Sequence, residues 1–322
     1  MPSSRYIFGM IPWYSVLIVF GALLAVILAS REEKNAGLKK DTVLDLALWI
    51  LPAGIIGARF YYVLFSWNEF RGDILSVFRI WEGGIAIYGA LIAGFITILV
   101  FSRIRKIRPL VLCDIAAPGV ALAQAIGRWG NFFNMEAYGV PVTNPTLQFF
   151  PFAVLIPSDS ETPWHMACFF YEFLWDILIF IFLLIARRRY LRRTGDVFSC
   201  YAFLYACGRL VIEDFRMDSL YAASSVRVSQ LVSVLICAAL LIFFFHRRYR
   251  CPTVPKLFFF AAMLFAVPVL CYCLNIAVRP GTMSAAVRFL FLGSYSVLNI
   301  LAFFLLYGPS VSGEVAYAVD KD

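Results

Sequence analysis

Apolar runs of about twenty residues recur along this chain with short, polar stretches between them. At 1.5 Å of rise per residue such a run measures about 30 Å, the thickness of a bilayer's hydrocarbon core. The chain is 62% hydrophobic and only 15% charged, against roughly 45–50% apolar for soluble domains. Runs of this length close their own backbone hydrogen bonds only as helices, so a β-barrel is excluded. Spans are expected at about Ile11–Ala29, Val43–Phe65, Trp81–Phe101 (opened by the stretch to Gly89), Pro109–Ile126, Met166–Ala186, Val197–Phe215, Val226–Phe245, Lys256–Val278 and Val287–Tyr307. The fold class is therefore an all-α polytopic membrane protein.

The net charge of +8 is carried in the loops. Arg31, Lys34, Lys39 and Lys40 follow the first span; Arg103, Arg105, Lys106 and Arg108 follow the third; arginines crowd 187–193 after the fifth; Arg247, Arg248 and Arg250 follow the seventh. Basic residues in alternate short loops mark the cytoplasmic side, which puts the N-terminus outside and the C-terminus in the cytoplasm. The same distribution argues against nucleic acid as a partner. Leu28 and Ser30 make a poor cleavage site and the basic residues follow the first span, so that span reads as an uncleaved helix. The eight cysteines lie in or beside apolar runs without a Cys-x-x-Cys pair, and only His165 and His246 are present. We read the thiols as packing residues and expect neither a metal nor a cofactor.

Charge inside the spans gathers at one end. The loop signs place Arg59, Arg128, Arg209, Glu136, Glu172 and Glu213 toward the outer leaflet. Arginine at membrane depth is costly without a partner or a polar cavity. Arg128 and Asn131 stand three apart in Gly127-Arg128-Trp129-Gly130-Asn131-Phe132-Phe133-Asn134-Met135-Glu136-Ala137-Tyr138-Gly139 and share a helix face. A guanidinium fork beside an amide suits a phosphate; the plainer alternative is an arginine snorkelling to headgroups. Arg59 is open to the same two readings. Arg209 and Glu213 are four apart, either a structural pair or part of a site. Three arginines at one depth suit an anionic headgroup whose tails stay in lipid, and would stabilise charge developing on a phosphate leaving group. Residues 131–165 hold five prolines up to Trp164 and, to that point, no Lys or Arg, and are expected to form a small outward head with short strands.

Four stretches resemble the bacterial prolipoprotein diacylglyceryl transferases: Trp13-Tyr14; Trp81-Glu82-Gly83-Gly84-Ile85-Ala86-Ile87-Tyr88-Gly89; Gly127 to Gly139; and Gly208-Arg209 with Glu213 through Leu220, extended by Arg227-Val228-Ser229-Gln230. The resemblance covers about Tyr14 to Phe245. It implies transfer of diacylglyceryl from phosphatidylglycerol to the thiol of the lipobox cysteine in a preprolipoprotein signal peptide, forming a thioether and releasing glycerol-1-phosphate, in the bacterial plasma membrane. The functional positions it implies are Tyr14, Arg128, Asn131, Glu136, Gly139, Arg209 and Glu213. Arg128 would hold the phosphate; Arg209, oriented by Glu213, would stabilise it as it leaves. Arg209, Glu213, Tyr88 and Tyr14 form the expected catalytic group. Arg128, Asn131, Glu136, Gly139, Arg59, Gly83 and Gly84 form the expected lipid-binding group.

The chain departs from that family in three places. Tyr88 stands where some members have histidine. His165 is followed by Met166 instead of proline. The last two spans exceed the family's usual seven. Residues 1–250 are thus expected to be the transferase core and 251–322 two added spans with a short tail. The added spans carry almost no polar residues, so they are expected to face lipid or a partner and to be dispensable for chemistry. The alternative functions are an anionic-lipid transporter or flippase, which would want charge along the whole path, and a scaffold in which the arginines only pair with glutamates.

Overall fold

The computed structural model describes residues 4–157, 163–191, 193–219, 221–223, 226–249 and 285–307. Its long elements are helices, as the apolar runs require: α1 (Trp13–Ser30), α2 (Thr42–Phe65), the short α3 (Trp67–Phe70), α4 (Ile87–Arg105), α5 (Pro109–Asn134), α6 (Cys168–Arg189), α7 (Asp196–Ile212), α8 (Val228–Tyr249) and α9 (Ala285–Tyr307). The expected span over 256–278 lies outside the described residues. Among the described residues five helices, α1, α2, α4, α5 and α6, are long and apolar enough to cross a bilayer. α7 has 17 residues and continues into a single 3-10 turn, Glu213–Phe215.

Arg105 at the end of α4 pairs with Asp45 at the start of α2, and Glu32 after α1 pairs with Arg187 and Arg188 at the end of α6, so the basic loops collect at one end of the bundle and the intramembrane charges at the other. At the basic end, α4 closes on Arg103 and Arg105 and α6 on Arg187, Arg188 and Arg189, complementing the partial negative charge of each helix C-terminus. Buried carboxylates tie this end together. Glu33 accepts from the backbone N–H of Asp41 and Val43 at the start of α2. Asp114 of α5 accepts from Gly195 N at 2.5 Å and Phe198 N at 2.8 Å, so it caps α7 from a neighbouring helix. Glu32 pairs with Arg187 at 3.1 Å and Arg188 at 2.5 Å, joining α1's end to α6's.

The core lies among α6, α7, α8 and α9, around Phe203, Leu183, Leu241, Leu292 and Phe303, all about 1% exposed or less. Residues 287–307, expected to face lipid or a partner, also pack against this core. One side of α9 does leave Leu290, Leu298 and Leu301 exposed, but the other packs on α7 and α8, with Phe303 stacked on Phe203 at 4.5 Å between ring centres. A helix apolar all round hides which face packs, because shape and not polarity decides it. Cys113, Cys168, Cys200, Cys207 and Cys237 are buried free thiols, and the last three of them fill space in this core.

At the other end, α5 continues past the apolar run to Asn134 and reverses at Met135 and Ala137, both with positive φ. The reversal is held by Glu136 N donating to Asn131 O at 2.9 Å, a C-terminal helix closure made without glycine. The chain then builds a small head. Besides β1 (Tyr6–Ile7) and β2 (Ile11–Pro12) at the N-terminus, β3 (Ala153–Leu155) pairs with β4 (Trp164–Met166) antiparallel, and β5 (Tyr221–Ala223) with β6 (Val226–Arg227). A single bridge from Gly139 to Arg216 joins the head to the segment after α7, and one from Pro141 to His165 ties the head to its own strand β4.

Candidate active site

Three helix ends supply the site. Arg128 is on the last turns of α5, Glu172 on the first turns of α6, and Arg209 near the end of α7, followed by Glu213 and Arg216. Glu172 is 3% exposed and sits between them. One of its oxygens lies 2.6 Å from Arg128 Nε, and the other accepts from Arg209 Nη1. Arg209 donates through Nη2 to Glu213, also 3% exposed. Arg216 Nη1 lies 3.6 Å from Glu172 and 3.7 Å from Glu213, while its Nε and Nη2 make two 3.0 Å hydrogen bonds to the oxygens of Asp218. Carboxylates this buried would be strongly destabilising alone; three guanidinium groups compensate them.

The network continues into the bundle. Arg128 Nη2 lies 3.5 Å from the Tyr205 hydroxyl, and Tyr201 donates to Gln124 at 2.7 Å. Asp176, one turn below Glu172 on α6, is 2% exposed. Toward the head, Ala137 N donates to Asp218 at 3.2 Å and Val140 N to Phe215 O at 3.0 Å, so the segment after α5 is laced to the segment after α7. Outside the helices, Arg216 and Asp218 set each other's ionisation. Burial works to raise the Asp218 pKa, but the Arg216 hydrogen bonds and charge, with the Ala137 N–H, more than offset it and the carboxyl stays below its usual range.

Tyr14, on the first turn of α1, packs its ring against Gly130; a Cβ there would stand 2.5 Å from Tyr14 Cδ2. Tyr14 lies within electrostatic range of Glu136 and Arg128. Gly139 is buried where three segments meet. A Cβ on it would lie 2.6 Å from Cys168 Sγ and 2.9 Å from Met166 Cβ. Its part in the site is to let those segments meet. Asn131 and Glu136 line a mostly apolar pocket of about 630 Å³ with Phe132, Met135, Trp164 and Phe169.

Arg59 does not join these residues. All its donors go to backbone carbonyls: Nε to Val77 at 2.8 Å, Nη1 to Gly83 and Gly84 at 2.7 and 2.8 Å, Nη2 to Ser76 at 2.6 Å and Arg79 at 3.4 Å. Its guanidinium also lies over the Phe70 ring. The group thus clamps the loop from 74 to 84, with the Gly83 and Gly84 carbonyls among its acceptors. Tyr88 belongs to the same α2–α4 region, half-buried with its ring 6.5 Å from Tyr61.

The structure thus unites Tyr14, Arg128, Asn131, Glu136, Gly139, Arg209 and Glu213, and places Arg59, Gly83, Gly84 and Tyr88 elsewhere. It adds Glu172, Asp176, Tyr205, Arg216, Asp218, Asp214 and Arg227. Helical spacing is the signal that could have found two of them: Tyr205 precedes Arg209 by four residues and Asp176 follows Glu172 by four.

The family profile described as prolipoprotein diacylglyceryl transferase matches residues 6–246. Proteins named phosphatidylglycerol–prolipoprotein diacylglyceryl transferase are similar to this chain. The one from Oceanobacillus iheyensis is 44% identical over 241 residues, covering 73% of this chain and 84% of its own length. That from Enterococcus faecalis is 46% identical over 240 residues, covering 73% and 86%. One from Streptococcus equi subsp. zooepidemicus is 43% identical over 237 residues, covering 73% and 90%. With a match that takes in every residue of the arginine–glutamate cluster, the chain belongs to the prolipoprotein diacylglyceryl transferase family.

Proposed function

We propose that this protein transfers the diacylglyceryl group of phosphatidylglycerol to the lipobox cysteine of a preprolipoprotein at the outer face of a bacterial plasma membrane, with its N-terminus outside and its C-terminus cytoplasmic. The observation that carries this reading is the Glu172 carboxylate shared by Arg128 and Arg209 from two other helices. It holds two guanidinium groups side by side at one depth in a membrane bundle. Arg128 Nη1 makes no hydrogen bond among the described residues, and Arg209 uses only one hydrogen of each terminal nitrogen. Those donors suit phosphate oxygens.

In the reaction the acceptor sulfur attacks the glycerol carbon esterified to phosphate. An S–C bond forms as that carbon's C–O bond breaks, the electron pair stays on the phosphate oxygen, and the thiol proton ends on the departing glycerol-1-phosphate. Arg128 holds the phosphate, and Arg209 stabilises the charge that grows on it, with Glu213 and Glu172 fixing both guanidinium groups beforehand. The same positive field favours the acceptor thiolate, whose ordinary pKa is near ~8.5.

The test is transfer of a labelled diacylglyceryl group from phosphatidylglycerol vesicles to a lipobox peptide by the purified protein, with complementation of a strain depleted of its own transferase. Thioether product supports the reading. Labelled lipid crossing the vesicle without product would favour a flippase and overturn it.

A further inference from the structure

The family match ends at residue 246, and α9 lies beyond it. We propose that α9 is nevertheless part of the catalytic apparatus, with Arg288 as a positioning residue that acts through Asp214 on Glu213 and Arg216. This inference rests on the transferase reading for its activity assay alone.

Three contacts set α9 against the second half of α7 and the turn that follows it. Phe303 stacks on Phe203, Ser296 Oγ donates to Cys207 O at 3.1 Å, and Arg288 Nε lies 3.5 Å from Asp214 Oδ2. They bracket Arg209, which stands two residues after Cys207. Asp214 is the neighbour of Glu213 in the single turn that ends α7, and it is 2% exposed. Its other oxygen lies 3.0 Å from Arg227 Nη1, and Arg227 Nη2 donates to Arg216 O at 3.3 Å. A charge run therefore leads from α9 through Asp214 and Arg227 to the backbone of Arg216. A buried carboxylate holds its place only while its partners do. Removing Arg288 takes one cation from Asp214 and loosens the turn from which Glu213 and Arg216 reach Arg209 and Glu172. The extra helix is then no inert anchor: this chain has come to depend on it for the geometry of the site.

The experiment uses the full chain carrying Arg288→Ala, Arg288→Lys, Asp214→Asn and the Arg288→Ala/Asp214→Asn pair. Transfer to a lipobox peptide is measured per folded enzyme, alongside amide exchange over 213–219. We expect Arg288→Ala to lower kcat about tenfold with KM for the lipid within twofold, and to speed exchange at Arg216 and Met217. Arg288→Lys should recover most of the loss, and the double variant should be no worse than the worse single one, as contacts in one network require. A merely structural role would lower the folded fraction and leave turnover per folded molecule unchanged. Turnover within twofold of wild type, or additive losses in the double variant, would overturn the proposal. If the wild type itself transfers nothing, the transferase reading fails, and the exchange result still decides: unchanged exchange in Arg288→Ala overturns the positioning role, and faster exchange upholds it.

Discussion

Arg128 and Arg209 come from different helices, and a single buried carboxylate, Glu172, pairs with both. Because Glu172 enters from a third helix, the spacing of the two guanidinium groups is fixed by how α5, α6 and α7 pack and not by either arginine's own rotamers. Pre-set cations of this kind need no reorganisation when charge develops on a phosphate.

The first prediction concerns that fork. Arg128→Lys keeps the charge and its attraction to Glu172 but loses the planar pair of donors. Transfer should fall about 10²–10³-fold, the range for loss of one donor to a developing oxyanion, with normal membrane insertion. Wild-type turnover by purified Arg128→Lys would remove Arg128 from phosphate binding.

Glu172→Gln tests the other half of the pair. Glutamine matches the shape yet leaves Arg128, Arg209 and Arg216 facing one another around a neutral group. A lower unfolding temperature in detergent is expected, together with transfer at least 100-fold down. Breaking a buried ion pair by removing one partner typically costs about 3–5 kcal/mol. An unchanged melting temperature would mean that Glu172 is not the counter-ion holding the cluster.

Arg59 gives a prediction of a different kind. Its guanidinium holds five carbonyls of the loop before α4, so Arg59→Gln should speed amide exchange over 76–84 and leave the Glu172 cluster protected. Were Arg59 instead a lipid ligand, the KM for phosphatidylglycerol would rise while loop protection stayed as in wild type.

The Asp218–Arg216 pair predicts a pH dependence. Asp218 titrates below its unfolded value of about 3.9. A carboxyl depressed on folding contributes stability that is fully present above the unfolded pKa and is lost as pH falls through the folded one. The stability difference between wild type and Asp218→Asn should therefore be flat from about pH 5 to 8 and shrink below about pH 4. Thermal unfolding across that range checks it. A difference that shrinks already near neutral pH would contradict the depressed carboxyl.

Much of this was legible in the sequence because charge inside an apolar run is conspicuous. Arg128, Arg209 and Glu213 stood out, and the loop arginines placed them at one end of the bundle. What was not legible depends on packing between distant segments. Glu172 looked like one of several outer carboxylates until α6 packed between α5 and α7. An arginine paired with carbonyls, as Arg59 is, leaves no partner to read from side chains. The reversal at Met135 and Ala137 uses no glycine, being held by Asn131 O and the Asp218 carboxylate. The docking face of α9 was hidden because its apolar residues surround the helix, and it takes the packed bundle to show Phe303, Ser296 and Arg288 meeting complements on α7 and in the turn that follows it.

The last prediction separates two roles for Tyr88. As a general base it would have to titrate in the reaction, and its loss should cost about 10²–10⁴-fold and alter the pH–rate profile. Its ring lies beside Tyr61 on the α2–α4 side, in a region whose one described arginine clamp, Arg59, is fully engaged with carbonyls. A hydroxyl donating to the bound headgroup fits that position better. Tyr88→Phe keeps the ring and removes only the donor, so transfer should fall about tenfold to a hundredfold, the worth of one or two hydrogen bonds to a charged group. The pH–rate profile should keep its shape. Transfer to a lipobox peptide measured against pH for wild type and Tyr88→Phe decides between them: disappearance of one titration in the mutant would make Tyr88 the base, and an unchanged rate would leave it only the interfacial packing role of a ring at the membrane surface.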